Sequence, residues 1–258
     1  FLRDESGGLP IIRAMSEIAG RASVLIAADY LNNSMEGKGE LLGGIPGVQP
    51  TDIVIIGAGA VGEYATRAAL GLGAHVTVFD NNLYKLRRLE HNIGQRIFSS
   101  TLLPHVLGRA LEKCDVAIGA LRSSIGQSPC VVSEEMVLKM RPKSLIIDVS
   151  IDQGGCFDTS KVTNHENPTF TEHDVIHYCV PNIASKYART SSYALSNILT
   201  PIMMAIGNSG GFQNRIWEDE GLRKGVYIYK GNLTNRNLAS RFGMNCKELD
   251  FLIPGNEG

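Results

Sequence analysis

At 258 residues, 43% hydrophobic and 20% charged, the chain is long enough for one large domain or two modest ones with a buried core. Its 25 basic and 26 acidic residues leave a formal net charge of −1, which gives no electrostatic case for nucleic acid or an anionic membrane. No uninterrupted apolar stretch reaches the ~18 residues of a membrane span, the start shows no signal-peptide pattern, and five scattered cysteines without a CxxC pair fit a reducing cytoplasm rather than disulfides or zinc.

The chain opens Phe1-Leu2-Arg3-Asp4 without an initiator Met. That apolar start, running into Glu5-Ser6-Gly7-Gly8, reads as the end of a strand and a turn, as in a fragment whose natural N-terminal part is absent. Residues 13–33 follow as a helix, with Ile18, Ala22, Leu25 and Ile26 at helical spacing. A breaker-rich loop comes next, Gly37-Lys38-Gly39 and then Gly43-Gly44-Ile45-Pro46-Gly47. Beyond Pro50 the pattern alternates. Apolar strands are predicted at 52–57, 75–79, 115–119, 144–150 and 175–180, with helices at 61–72, 83–93, 104–113 and 133–140. Continuous apolar strands separated by helices indicate an α/β fold, a Rossmann-type doubly wound parallel sheet. Residues 190–207 read as a helix that Pro201 kinks or divides, and 212–258 as a polar tail with helical potential at 234–242 and 246–252. The expected organisation is therefore a nucleotide-binding domain over 13–189. Residues 1–12 and 190–258 are the two stubs of a discontinuous second domain that holds the substrate.

Gly57-Ala58-Gly59-Ala60-Val61-Gly62 is a GxGxxG string. With 28 glycines in the chain the string alone is weak, so its context decides. It follows a predicted strand and leads into a predicted helix. Gly57 permits the tight turn, Gly59 a close approach of backbone to a pyrophosphate, and Gly62 close packing of helix on strand. The helix N-terminus then offers N–H groups to phosphates. Asp80 ends the next strand, where a carboxylate accepts from the adenosine ribose hydroxyls and repels a 2′-phosphate. This favours NAD over NADP, although Lys85, Arg87 and Arg88 lie nearby. A glycine-rich turn that binds nothing is the bland reading.

Asp152 falls just past the strand at 144–150, at the carboxyl edge of the sheet where open α/β folds place their ligands. It reads either as a catalytic carboxylate or as a turn cap. Asn182 follows the strand at 175–180 in the same way, as a ligand-binding amide or a turn residue. None of the six histidines shows metal spacing. His165, in a polar loop, is a remote acid/base candidate with hydrogen bonding inside its own loop as the alternative, and Cys156 reads as structural because no base adjoins it.

The run Ile147-Asp148-Val149-Ser150-Ile151-Asp152-Gln153-Gly154-Gly155-Cys156-Phe157 closely resembles alanine dehydrogenases. So do Met15-Ser16-Glu17-Ile18-Ala19-Gly20, Leu41-Leu42-Gly43-Gly44-Ile45-Pro46-Gly47-Val48 and His177-Tyr178-Cys179-Val180, the likeness covering about residues 9–207. Transhydrogenase α subunits are similar but carry an AAEQGG type of sequence in place of SIDQGG. The resemblance implies an NAD-dependent oxidoreductase that interconverts L-alanine with pyruvate and ammonia. Hydride passes from the substrate Cα to nicotinamide C4, and the imine is hydrolysed with the help of an acid/base pair. It implies cofactor contacts at Ser16, Gly57, Gly59, Ala60, Val61, Gly62, Asp80 and Lys85. It also implies a cofactor contact at Leu121 and, on the nicotinamide side, Val149, Ser150, Ile151, Val180, Asn182 and Ile183. Asp152 matches the family's catalytic aspartate, and a homo-oligomer, commonly a hexamer, is implied.

The chain departs from the family at Ser123-Ser124-Ile125-Gly126-Gln127-Ser128-Pro129, where the family has PGAKAP. It also departs at 181–192, where the family has ANMPGAVPRTST, and at Lys161, which replaces an Arg. These positions lie around the nicotinamide pocket and point to a divergent subgroup. The family's substrate-binding Arg and Lys and its catalytic His belong to the portion before residue 1. This chain is accordingly expected to hold NADH yet turn over alanine poorly by itself. Two other readings stay open: a nucleotide-binding component of a transhydrogenase, and a catalytically silent NAD module.

Overall fold

The computed structural model describes residues 2–122 and 127–253. The chain divides into two compact units, Met15–Ala188 and a smaller one formed by residues 1–14 with 189–258. Helix α1 (Pro10–Tyr30) and helix α6 (Ala188–Asn208) each span one of those boundaries.

In the larger unit the elements run β1 (Asp52–Ile56), α2 (Ala60–Gly71), β2 (His75–Phe79), α3 (Leu83–Ile93), β3 (Phe98–Ser100), α4 (Pro104–Leu111), β4 (Val116–Gly119), α5 (Glu134–Val137), β5 (Leu145–Asp148), β6 (Thr169–Glu172) and β7 (Val175–Tyr178). The sheet order is β3-β2-β1-β4-β5-β7-β6. All pairs are parallel except β6 with β7. This is the doubly wound arrangement, with the order reversing between β1 and β4.

The strands form because they are apolar on both faces. Along β1, Ile53 and Ile55 enter a core shared with α1, α2 and α3, whereas Val54 and Ile56 enter the opposite core beneath α4 and α5. β4 and β5 alternate in the same way: Ile118 and Ile147 lie on the first side, Ala117 and Ile146 on the second. Two strands lack this apolar signature and are absent from the sequence reading. β3 is three residues long and largely exposed, and β6 (Thr-Phe-Thr-Glu) is a partly solvated edge. The β6–β7 turn uses His173 and Asp174 at φ 54° and 58°, a left-handed turn made without glycine. The helix expected at 133–140 is only α5, and residues 2–4 form no strand, although residues 5 and 6 do turn. Phe1, residues 123–126 and the end of the predicted tail at 254–258 lie outside the described residues.

His177 on β7 is fully buried. Its Nδ1 meets the Val175 carbonyl at 2.9 Å, its Nε2 meets Thr159 Oγ1 at 2.8 Å, and its ring stacks on Phe170 with centroids 4.8 Å apart. Burial holds its pKa below the ordinary histidine value of 6.5. On acidification the unfolded chain takes up a proton at about 6.5 that the folded chain still refuses. The histidine therefore contributes stability that is present above that value and lost as the pH falls toward the folded pKa. Thermal melts should show a smaller drop in Tm between pH 7 and pH 5 for His177→Gln than for the parent chain. An identical drop in the two proteins would contradict this.

In the smaller unit, α6 continues through Pro201 instead of dividing there. The carbonyl of Asn197, which loses its N–H partner to the proline, belongs to an exposed residue, so water can satisfy it. Helices α7 (Phe212–Glu218) and α8 (Glu220–Arg223), the hairpin β8 (Ile228–Tyr229) and β9 (Asn232–Leu233), and α9 (Arg236–Phe242) follow. Ile216, Leu222, Tyr229, Leu249 and Ile253 form its core. The segment expected to be helical at 246–252 is only a 3₁₀ turn at Leu249–Phe251. No helix among the described residues is long and apolar enough to cross a membrane.

Candidate nucleotide site

The site lies at the carboxyl edge of the sheet, where the strand order reverses. Gly57 leaves β1 at φ +117°, and a Cβ there would stand 2.5 Å from the Ala120 carbonyl and 3.0 Å from the Leu121 nitrogen. The glycine therefore brings the ends of β1 and β4 together and sets Leu121 beside the turn. Gly62 is equally constrained, since its Cβ would lie 1.8 Å from the Gly57 carbonyl. Gly59 differs: a Cβ there would meet nothing within 4 Å. Its Cβ position faces open space.

Gly59 caps α2, and its carbonyl accepts the first intrahelical bond, from Glu63 N–H at 2.9 Å. The N–H groups of Ala60, Val61 and Gly62 precede that bond and have no acceptor within the helix. Such free N–H groups, with the helix dipole behind them, are the kind of end that suits an anion. Ser16, the residue on α1 singled out in the sequence, is related to this turn through Gly20. It sits one turn before Gly20 on the same helix face, and a Cβ at Gly20 would be 2.4 Å from the Val61 carbonyl.

Asp80 is buried and already half committed. Its Oδ2 accepts from Ala58 N–H at 2.8 Å, and its Oδ1 from Asn82 N–H at 2.8 Å. Lys85 Nζ stands 3.8 Å from Oδ2. Each carboxylate oxygen keeps a further lone pair, which suits ribose hydroxyls. The Arg88 guanidinium donates to the Ala58 carbonyl at 3.4 Å, so this cation is turned onto the glycine turn itself.

A second group gathers beyond β5 and β7. Val149 N–H donates to the Gly119 carbonyl at 2.9 Å, which ties the end of β5 to β4. Ser150 and Ile151 are buried next to it, and the Ser150 hydroxyl is buried with no hydrogen-bond partner, an orphan polar atom at this edge. A 3₁₀ turn, Ile151–Gln153, carries Asp152 to the surface. Val180 and Ile183 are buried, and Asn182 between them takes the left-handed conformation at φ 52°, ψ 50°. Its backbone N–H donates to Asp152 Oδ1 at 3.1 Å and Oδ2 at 3.4 Å. The two residues singled out separately in the sequence thus meet. Partial burial raises the pKa of Asp152 above the ordinary carboxylate value, against the lowering effect of the Asn182 N–H.

His165 bonds outside its own loop. Its ring Nε2 lies 2.8 Å from Ser185 Oγ, in the 3₁₀ turn that follows Asn182. Cys156 is buried and its thiol is pushed well above the usual range, as a structural cysteine would be. Glu134, Glu172 and His173 bring one ligand atom each within 4.8 Å of one another, a grouping their sequence separation concealed. Internal partners satisfy it: His173 Nε2 is 2.7 Å from Glu134, and Lys161 Nζ is 2.6 Å from Glu172. The segment 123–126, where the chain departs from the family pattern, lies outside the described residues.

Residues 23–236 match the family model described as the C-terminal domain of alanine dehydrogenase/PNT. The alanine dehydrogenase of Mycolicibacterium smegmatis is 42% identical over 236 residues, 90% of this chain and 62% of that protein. A solved L-alanine dehydrogenase superposes with a TM-score of 0.88 at 36% identity, covering 94% of this chain and 66% of that one. A transhydrogenase from Sinorhizobium meliloti superposes with a TM-score of 0.64 at 20% identity over 76% of this chain and 56% of that one, a likeness of fold alone. The chain thus spans a little under two thirds of the length of these alanine dehydrogenase relatives.

Proposed function

Since this chain belongs to the alanine dehydrogenase/PNT C-terminal-domain family, we propose that it supplies the NAD site and the catalytic aspartate of an NAD-dependent alanine dehydrogenase. The observation that carries the reading is the open cradle at Gly59, between two glycines whose own Cβ positions are filled by backbone. An ordinary turn has no need of a glycine where there is room for a side chain and φ is −78°. Phosphate bound against the peptide does need one.

In this reading the N–H groups of Ala60, Val61 and Gly62 hold the pyrophosphate, and Ser16 lies beside them. Asp80 receives the adenosine ribose, with Lys85 balancing its charge. NAD, when bound, supplies the hydride acceptor for the oxidation of the amino acid. Leu121, Val149, Ser150, Ile151, Val180 and Ile183 wall the nicotinamide side and exclude water, and the orphan Ser150 hydroxyl gains a partner there. Asp152 holds and moves a proton at its carboxylate, and its raised pKa suits that task. Asn182 orients it through its backbone N–H rather than its amide.

L-Alanine, pyruvate and ammonia are the proposed substrates and products, and the smaller unit is the returning part of the substrate domain. A cytoplasmic homo-oligomer, a hexamer by family resemblance, completes the proposal. The test is NAD reduction by the intact protein across a panel of amino acids. L-Alanine should stand out with stoichiometric pyruvate, and no NAD-linked oxidation of any amino acid would reject the reading.

The role given to Asp80 has its own consequence. Asp80→Ser removes a charge that accepts ribose hydroxyls, an interaction worth about 1.5–3 kcal/mol. NADH affinity should fall about tenfold or more, while NADPH affinity stays level or rises. Fluorescence titration with both nucleotides measures this, and an equal loss for the two would place the adenosine elsewhere.

A further inference from the structure

Asp148, the last residue of β5, has a fully buried carboxylate that the proposed chemistry does not use. Its Oδ1 accepts from Ser150 N–H at 2.9 Å, and its Oδ2 accepts from Cys156 N–H at 2.9 Å and from Ser160 Oγ–H at 2.7 Å. One side chain therefore closes both ends of the 150–156 loop, with Asp152 at the outer bend. Two glycines make room for it. A Cβ on Gly155, which sits at φ +81°, would lie 2.7 Å from Asp148 Oδ2, and a Cβ on Gly119 would lie 2.9 Å from Oδ1. Every polar contact at this carboxylate is a donor, so only an acceptor-only group satisfies the site.

The geometry points to Asp148 as a positioning residue of the nicotinamide side: its carboxylate pins the loop that presents Ser150, Ile151 and Asp152, and through Asp152 it fixes the Asn182 peptide. One backbone bond also joins the two ends, from Gly155 N–H to the Ser150 carbonyl at 3.1 Å, and Asp148 adds the buried side-chain clamp with three donors beside it. Val149 is tied to Gly119, the Cys156 carbonyl accepts from Val131 N–H at 3.0 Å and Val132 N–H at 3.1 Å, and the Gln153 carbonyl accepts from Ser128 N–H at 2.8 Å. Backbone bonds thus hold the loop to its surroundings while the Asp148 carboxylate holds its two ends to each other. A small tilt of the bend displaces the reacting carboxylate, which is how a residue without substrate contact gains control over a site. The inference rests on the NAD reading above.

The experiment separates the two halves of the dinucleotide. ADP-ribose probes the glycine turn and Asp80 alone, and NADH adds the nicotinamide. Both are titrated into the full chain, into Asp148→Asn, which sets an amide N–H against donors, and into Ser160→Ala, which removes a single donor. Asp148→Asn should keep its ADP-ribose affinity within about twofold and lose about tenfold in NADH affinity, with Ser160→Ala intermediate. A merely structural carboxylate would weaken both ligands alike, and that result, or unchanged NADH affinity in both variants, overturns the assignment. If Asp148→Asn fails to fold, Ser160→Ala decides on the same criterion. A parent chain that binds neither ligand would refute the NAD reading itself, a separate outcome from the loss of positioning.

Discussion

Asp152→Asn is expected to lower NAD-linked oxidation of L-alanine by the intact protein by about 10²–10⁴-fold, the usual contribution of a positioned acid/base. Asparagine is close to isosteric, and its Oδ1 can still accept the Asn182 N–H that the carboxylate receives at 3.1 Å. The local geometry is therefore kept, and only the capacity to hold a proton is lost. NADH affinity should change by no more than a few fold, so the loss falls on kcat. Partial burial raises the Asp152 pKa, so the acidic limb of the pH–rate profile should lie above the ordinary aspartate range, with activity rising as the group ionises. That limb should vanish in the variant. Rates within tenfold of the parent with the limb intact would move the proton transfer to another residue.

Gly59→Ala is expected to leave the fold intact and remove cofactor binding, a combination few substitutions produce. The residue has φ −78°, ψ −166°, which alanine adopts freely, and an added methyl would meet no protein atom within 4 Å. Stability should stay within ~0.5 kcal/mol, about 2 °C in Tm. The methyl instead occupies the space where the phosphate approaches the peptide, costing one or two charge-assisted hydrogen bonds of about 1.5–3 kcal/mol each. NADH affinity should fall by about 10–100-fold or more. Gly62→Ala gives the converse. Its methyl would be 1.8 Å from the Gly57 carbonyl, so the chain must distort, and Tm should drop whether or not ligand is present. Equal behaviour of the two variants in melts and titrations would mean that Gly59 has no ligand to accommodate.

The contrast between these glycines marks what could be read in the sequence. The string and its strand–turn–helix setting were legible because β1, β4, β5 and β7 are buried on both faces and so are largely apolar, while β2 keeps Val76, Val78 and Phe79 in the core. The helices between them carry the complementary stripe. β3 and β6 were hidden because edge strands need no apolar run, and the β6–β7 turn carries no glycine to announce it. Asp148 was hidden for the opposite reason: it sits inside an apolar strand, and its partners are backbone N–H groups and a serine that follow it. The Asp152–Asn182 contact spans thirty residues and is made through a peptide N–H, which leaves no trace in residue type. Residue type points to the Asn182 side chain, whereas the structure gives its backbone the contact. His165 reached past its own loop to Ser185 because the 3₁₀ turn after β7 brings that hydroxyl back toward it.

The two site clusters, glycine turn and acidic loop, arise from one property of the doubly wound sheet. Chains leaving adjacent parallel strands at the same edge diverge at the order reversal and leave a crevice. Gly57 and Leu121 line its two sides, and Val149 and Val180 follow on the next strands. In the proposed reading a dinucleotide lies across this layout with the adenosine toward Asp80 and the nicotinamide toward Asp152.

The central claim is tested most directly by calorimetric titration of this chain with NADH, and with NADPH alongside. Saturable binding of one NADH per chain, with NADPH at least about tenfold weaker because of Asp80, is the predicted result. No heat of binding for NADH, or NADPH bound as tightly as NADH, would contradict it.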